Sequence, residues 1–257
     1  MIKTGVCDDI INPVGTIQGI LSVAMRMINE PSLEISIVMP CLNEEGAVGS
    51  CVRDALGYIS GKGLSGEVVV VDNGSTDNSR LEAEEAGAVV YREEVRGYGS
   101  ALRKGISVSK GNVIIFGDCD TTYDFKDLTG FYEPLSNGTY DVMIGDRLSG
   151  ISEDGSMQLS HILGVKFLSA YARKRFSTDV RDFHCGLRGL TREAAEQMDM
   201  KTDGMEFATE FIAVAAKSGL KIGQTDICLK KSIGQRRSKL NPVRDGFRHL
   251  RFISRGC

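Results

Sequence analysis

Three short runs of β-branched and aliphatic residues, Ile35-Ser36-Ile37-Val38-Met39, Val68-Val69-Val70-Val71 and Val113-Ile114-Ile115-Phe116, each lead into polar, acid-bearing sequence. Runs of this length bounded by turn signals read as strands buried on both faces, the kind found in parallel sheets covered by helices. Strand alternates with helical periodicity along the chain, so a doubly wound α/β domain with a mostly parallel central sheet is expected. The third run is the central one. Beyond it, Gly117-Asp118-Cys119-Asp120 sets two carboxylates one residue apart, and on an extended chain Asp118 and Asp120 face the same way. In open α/β sheets, ligands bind past the carboxyl ends of the strands. Two like charges held so close call for a divalent cation, and hard carboxylate oxygens suit Mg²⁺ or Mn²⁺. The plain alternative is a solvated acidic turn.

The other strand ends repeat the pattern. Pro40 stops the first strand, and Cys41-Leu42-Asn43-Glu44-Glu45 leads into a helix reaching about Ile59. The second strand ends in Asp72-Asn73-Gly74-Ser75-Thr76-Asp77, whose Thr76 or Asp77 can cap the following helix. A third strand, Ala88–Tyr91, precedes Arg96-Gly97-Tyr98-Gly99-Ser100-Ala101, which opens a helix ending near Gly111. Leu102 stands where a dinucleotide fingerprint needs glycine, so that motif is incomplete. Further on are a helix over 125–135, a strand over 141–147, a flexible stretch over 150–155, and a helix over 159–176. A loop over 182–188, a helix over 206–217 and a strand over 222–229 complete the body. Ile17, Ile20, Leu21, Ala24, Met25 and Ile28 fall at helical spacing, so residues 1–33 read as a helical extension before a domain over 34–257.

The net charge of −3 excludes a general nucleic-acid binder, yet from Lys230 onward nine Lys or Arg residues face a single acid, Asp245. The seven cysteines are dispersed with no C-x-x-C pair, which points to reduced thiols in the cytosol. Residues 1–9 carry Asp8 and Asp9 rather than the positive charge of a signal peptide, and no apolar run approaches the ~18–20 residues of a membrane span.

Pro40-x-x-Asn43-Glu44, Asp72-Asn73-Gly74-Ser75-Thr76-Asp77, Gly97-Tyr98-Gly99-Ser100-Ala101 and Asp118-x-Asp120 resemble the ordered motifs of family 2 glycosyltransferases of the GT-A fold, a nucleotide-sugar-binding sandwich. Gly145-Asp146-Arg147, Asp182-x-x-Cys185-Gly186-Leu187-Arg188, Glu206–Glu210 and Asp245–Leu250 narrow the resemblance to polyprenyl-phosphate or dolichyl-phosphate hexosyltransferases. The resemblance implies metal-dependent, inverting transfer of a hexose from a nucleoside-diphosphate sugar (UDP- or GDP-linked) to a lipid phosphate. It implies donor contacts for Pro40, Glu44 and Asp72, with Asn43, Asn73 and Gly97 of the same motifs on the donor side. Asp118 and Asp120 would hold the cation and the diphosphate; Arg147, Arg188 and an arginine of the Arg236-Arg237-Ser238 loop would hold donor and acceptor phosphates. His161, Val165 and Thr122 stand where relatives carry arginine, asparagine and glutamine.

Two matters stay open in the sequence. A phosphate acceptor is already anionic and needs no strong base, whereas a hydroxyl of a soluble acceptor would require one, for which Asp182 and Glu210 are the candidates. Asp118-x-Asp120-x-Thr122 also spells the nucleophile motif of haloacid-dehalogenase-type phosphatases, although that fold normally begins with this strand. The C-terminal segment sets Val243, Phe247 and Leu250 on one helical stripe beside Arg244, Arg248, Arg251 and Arg255. That layout suits peripheral contact with the cytoplasmic membrane face, or an apolar stripe packed on the domain with solvated arginines.

Overall fold

The structure, a computed structural model, describes residues 33–148, 159–230 and 242–255, and of 159–163 and 242–245 the backbone alone. The helical extension expected before the domain lies outside the described residues; Leu33, placed in it by the sequence, opens the first strand instead.

Seven strands form one sheet in the order β3-β2-β1-β4-β6-β5-β7. They are β1 (Leu33–Cys41), β2 (Gly66–Asp72), β3 (Val89–Arg92), β4 (Gly111–Phe116), β5 (Val142–Asp146), β6 (Arg188–Thr191) and β7 (Ile222–Asp226). Every pairing is parallel except those that β6 makes with β4 and β5. Ile37 pairs with Val68 on one side and Ile115 on the other, and all three are buried from both faces. That is why these strands read as unbroken apolar runs rather than alternating ones.

β1 runs past Pro40, where the sequence reading ends it. Val38 turns its carbonyl to β4, accepting from Gly117 N at 3.1 Å, and Cys41 turns its own to β2, accepting from Asn73 N at 2.9 Å. By alternation Pro40 faces the β4 side, where pairing has stopped at Val38, so its missing N–H leaves no ladder bond unmade.

The helices are α1 (Val48–Gly61), α2 (Ser79–Glu85), α3 (Tyr98–Val108), α4 (Thr129–Ser136), α5 (Leu159–Phe176), α6 (Arg192–Gln197), α7 (Phe207–Lys217) and α8 (Pro242–Arg255). β6 and α6 were absent from the sequence reading, which took 182–188 as loop. α5 and α8 pack on one another, and α7 packs on both. Among the described residues no helix is long and apolar enough to cross a membrane. The strand order reverses between β1 and β4: β1 continues outward to β2 and β3, while β4 leads to β6, β5 and β7. Such a switch point opens a crevice at the carboxyl ends of the strands.

Candidate active site

The crevice is framed by two loops that hold each other. After β1, the backbone N–H groups of Asn43, Glu44, Glu45 and Gly46 point at the turn that follows β2. They donate to Ser75 Oγ (2.9 Å), Ser79 Oγ (2.7 Å), Asp77 Oδ2 (3.2 Å) and Glu82 Oε2 (2.6 Å). In return Asn43 Oδ1 accepts from Thr76 N at 2.8 Å, with Asn43 in the left-handed region at φ 54°. With residues 43–46 held in this zipper, α1 starts at Val48, after the lead-in that the sequence places before it. The zipper also assigns Asn43 and the Ser75–Asp77 turn to framework.

Asn73 clasps a third loop. Its Nδ2 donates to the carbonyls of Glu93 (3.0 Å) and Val95 (2.8 Å), and its Oδ1 accepts from Gly97 N at 2.7 Å. Gly97 has φ 150°, and a Cβ there would stand 2.0 Å from the carbonyl oxygen of Asp203. Gly97 is therefore a close-approach residue. Asp72 is nearly buried at the tip of β2, with Oδ1 accepting from Ser75 N at 2.8 Å. Pro40 is joined to the loop beyond β4, its carbonyl accepting from Cys119 Sγ at 3.3 Å.

Asp118 stands at the centre. Burial first, and the nearby charge of Asp120 second, push its carboxyl up to about 7; a hydrogen bond from the Tyr98 hydroxyl and the charge of Arg147 oppose them, and Glu44 adds to the rise. Those perturbers bring the ends of β1, β4 and β5 to one point. Gly186 presses against the same carboxylate: a Cβ there would lie 2.6 Å from Asp118 Oδ2 and 3.0 Å from Tyr123 Oη. Tyr123 Oη accepts from Gly186 N at 2.7 Å, tying the loop before β6 to the loop after β4. Asp120 Oδ1 accepts from Thr122 N at 3.0 Å. Immediately after the second acid, Thr121 has φ 70°, an unusual conformation for a β-branched residue and typical of over-determined functional loops.

Arg147 and Asp182 form a buried bidentate pair, Nε–Oδ2 2.6 Å and Nη2–Oδ1 2.8 Å. Burial works against both charges, but each is held ionised by the other, so Arg147 is raised and Asp182 lowered. A carboxylate held below its usual range by an arginine is a poor proton acceptor near neutral pH.

Two sequence candidates receive other tasks. Arg188 is 1% exposed, and its guanidinium donates to the carbonyls of Cys185 (2.7 Å), Ala208 (2.6 Å) and Phe183 (2.8 Å). It buttresses the loop before β6, over the ring of Phe211, and presents no donor surface to a phosphate. Glu210 accepts from Lys201 N (2.9 Å), Thr202 N (2.9 Å) and Thr202 Oγ1 (2.6 Å), so it braces the turn against which Gly97 and Gly99 pack. Arg236 lies outside the described residues. Lys230, just before that segment, is anchored at the site: its N–H donates to Thr122 O at 3.0 Å and its Nζ pairs with Asp124 at 2.8 Å. Tyr98 and Gly186 lie within the motifs above and Tyr123 directly follows Asp118-x-Asp120-x-Thr122, but their place beside Asp118 had no sequence signal beyond that nearness.

The family model for glycosyl transferase family 2 matches residues 36–199, which takes in β1 through β6 and every acidic strand end described above. The chain belongs to glycosyl transferase family 2. Membership removes the phosphatase reading of Asp118-x-Asp120-x-Thr122. The family 2 chain is 36% identical over 220 residues to the low-salt glycan biosynthesis hexosyltransferase Agl6 of Haloferax volcanii, 85% of this chain and 52% of that protein. It thus spans about half of that relative's length. It is 30% identical to a dolichyl-phosphate hexose transferase of the same organism, over 83% of this chain and 89% of that one. Among solved structures, glucosyl-3-phosphoglycerate synthase from Mycobacterium tuberculosis, in complex with Mn²⁺, UDP-glucose and phosphoglyceric acid, superposes with a TM-score of 0.69 at 22% identity. That match covers 85% of this chain and 77% of the other, and shows the two proteins to share the GT-A fold.

Proposed function

We propose that this domain transfers a hexosyl residue from a nucleoside-diphosphate hexose to the phosphate of a polyprenyl or dolichyl phosphate, with inversion. The observation that carries the reading is the meeting of Asp118, Asp120, Glu44 and Arg147 at the switch point of the sheet. The printed names of the relatives support it: one is a hexosyltransferase and another a dolichyl-phosphate hexose transferase.

The ends of β1 and β2, with Pro40, Glu44 and Asp72, would flank the nucleoside, while the zipper of Asn43 and the clasp of Asn73 on Gly97 keep that cleft in shape. The Asp118 and Asp120 carboxylates would face the diphosphate. Among the described residues no group of three or more His, Cys, Asp or Glu comes together as a ready metal cage. Two carboxylates completed by substrate phosphates and water is the usual manner of Mg²⁺, and the donor set fits Mg²⁺ or Mn²⁺. Solved relatives hold Mn²⁺ with UDP-glucose, or Mg²⁺ with UDP. When bound, such a cation supplies charge stabilisation to the departing diphosphate.

Arg147 would steer the acceptor phosphate toward the anomeric carbon, its guanidinium fixed by Asp182. A phosphate oxygen attacks already charged, so alignment and charge compensation suffice and no carboxylate need act as base. Lys230, held at Thr122 and Asp124, is the last described residue before the basic sequence that carries Arg236. Exposed Phe167 and Tyr171 on α5 and Phe247 on α8 favour a peripheral seat on the cytoplasmic membrane face.

A donor screen decides it: UDP- and GDP-hexoses with Mn²⁺, offered a short polyprenyl phosphate or 3-phosphoglycerate. Sugar recovered in the lipid phase from one donor is the expected result. Transfer to 3-phosphoglycerate alone would establish a soluble acceptor, and no donor turnover with either acceptor would overturn the assignment.

A further inference from the structure

Arg147 and Asp146 are neighbours on one strand end and point to opposite sides. On the Asp146 side, away from the crevice, lies a cavity of roughly 420 Å³ lined by Asp146, Leu148, Lys166, Ala170, Arg173 and Arg181. That volume is within the range of small-ligand sites, about 300–1,000 Å³. We propose that this cavity is a phosphoanion-binding site, separate from the donor crevice.

The floor is built and internally compensated. Asp146 is fully buried and pairs with Arg181 Nε at 2.7 Å, and Arg181 Nη2 also lies 3.7 Å from Asp226. Arg181 therefore answers two carboxylates and adds little net charge. The wall is different. Lys166, Ala170 and Arg173 share one face of α5 at i, i+4 and i+7, which sets the two cations about 10 Å apart along the axis. Neither has a carboxylate partner among the described residues. Of the three basic residues in the last turn, Arg173, Lys174 and Arg175, which all complement the helix dipole, only Arg173 lines the cavity. Ala170 leaves a notch between the two cations where any longer side chain would fill the space.

Two cations with no carboxylate partner among the described residues, beside a wall already neutralised, suit a ligand with tetrahedral oxyanions, which ammonium and guanidinium groups bind through charge-assisted hydrogen bonds. A soluble phosphate compound and a phospholipid headgroup share that chemistry. Phe167, next to Lys166, is 68% exposed, so an acyl surface could lie beside a bound headgroup.

The site does not depend on the transferase reading, and its test uses no turnover. Binding of inorganic pyrophosphate to the full chain is measured by calorimetry in EDTA, with no divalent cation to draw the probe to Asp118 and Asp120. Co-sedimentation with phosphatidylglycerol/phosphatidylcholine vesicles is measured in parallel. Three proteins are compared: wild type, Ala170→Leu, which fills the notch without changing charge, and Lys166→Ser/Arg173→Ser. Both changes lie on the outer surface of α5, and unchanged melting curves verify folding. At least tenfold weaker pyrophosphate binding in both variants identifies a soluble phosphoanion site, and loss confined to vesicles identifies a headgroup site. Absence of saturable binding to either probe, or binding undiminished in both variants, would overturn the proposal.

Discussion

Arg147 holds Asp182 in two parallel N–H···O bonds of 2.6 and 2.8 Å, with the arginine side chain 8% exposed and the carboxylate fully buried. The carboxylate that might have served as a base is thus the anchor of the arginine that faces Asp118. Removing it has two separable consequences. Asp182→Ala leaves a buried guanidinium uncompensated, a change that costs about 3–5 kcal/mol in comparable buried pairs. Asp182→Asn keeps the shape and one acceptor, so it should fold and retain measurable transfer, with the main loss in acceptor KM. The acidic limb of its pH–rate profile should match wild type. A limb that vanishes in Asp182→Asn would make Asp182 the base and the acceptor a hydroxyl.

Asp118 sets a conflict between stability and function. Its carboxyl is pushed up to about 7 in the metal-free protein, by burial and then by Asp120. The folded chain therefore binds more protons than the unfolded chain between about pH 4 and 7, and this group's contribution to stability falls as pH rises through that window. Asp118→Asn mimics the neutral acid. Its melting temperature without metal should exceed wild type by a margin that widens from pH 5 to pH 8, worth on the order of 1–3 kcal/mol for a half-buried group. Activity should fall by at least ~10²-fold, the scale of losing one preorganised electrostatic group. A margin that narrows with pH would contradict this reading of Asp118.

Arg188 is expected to act on folding and not on substrate. Lysine keeps the charge but cannot span the carbonyls of Cys185, Ala208 and Phe183 that the guanidinium joins. Each buried carbonyl left unmatched costs about 1–3 kcal/mol. Arg188→Lys should therefore melt several degrees lower, while the donor KM of the folded fraction stays within about twofold of wild type. Full thermal stability with a raised KM would return Arg188 to phosphate binding.

The fold was legible wherever burial on both faces writes itself as an apolar run. Ile35–Met39, Val68–Val71 and Val113–Phe116 all lie within observed strands. β6 was not, because Arg188-Gly189-Leu190-Thr191 opens on a charge, and what makes that charge tolerable in a sheet is three carbonyls from distant segments. In the site, sequence spacing located the acidic strand ends, and the charges of Glu44 and Asp120 act on Asp118. It could not separate residues that face the crevice from those that hold it open. Asn73 and Glu210 have the chemistry of ligand groups, but their partners, Val95, Gly97, Lys201 and Thr202, are set by tertiary packing. The helix over 242–255 was foreseen, yet its inward face is His249 and Ile253, with His249 Nδ1 at 2.8 Å from Thr209 Oγ1 and its ring at 4.4 Å from His184. Of the apolar stripe, Phe247 is exposed and Leu250 half-buried.

Gly97 tests whether the framework controls the centre. A methyl there meets the Asp203 carbonyl at 2.0 Å, on a backbone at φ 150° that alanine rarely adopts. Gly97→Ala must displace the start of α3, and with it the Tyr98 hydroxyl that donates to Asp118. Expected is a folded protein less stable by about 1–3 kcal/mol, with weaker Mn²⁺ and donor binding by titration. Tyr98→Phe should reproduce the binding loss with a smaller effect on melting. Wild-type metal affinity in both variants would show the hydroxyl to be dispensable.

The exposed face of α8 is where the membrane reading can fail. Phe247 is 70% exposed on α8 and Phe167 68% exposed on α5, and the two helices pack together, with Tyr171 Oη 3.5 Å from Ser254 Oγ. Exposed Arg248 and Arg251 share the α8 surface. Each phenylalanine that leaves water gains about 1.5–3 kcal/mol, and each arginine near an anionic surface about 1 kcal/mol. Together these give reversible, salt-sensitive attachment rather than permanent insertion. Co-sedimentation with anionic vesicles should weaken as salt is raised. It should fall at least tenfold in Phe167→Ser/Phe247→Ser and again in Arg248→Glu/Arg251→Glu, while turnover of a water-soluble short-chain acceptor is retained. Vesicle binding indifferent to both pairs, or absent at low salt, would leave α8 a solvated helix and direct the search to soluble phosphorylated acceptors.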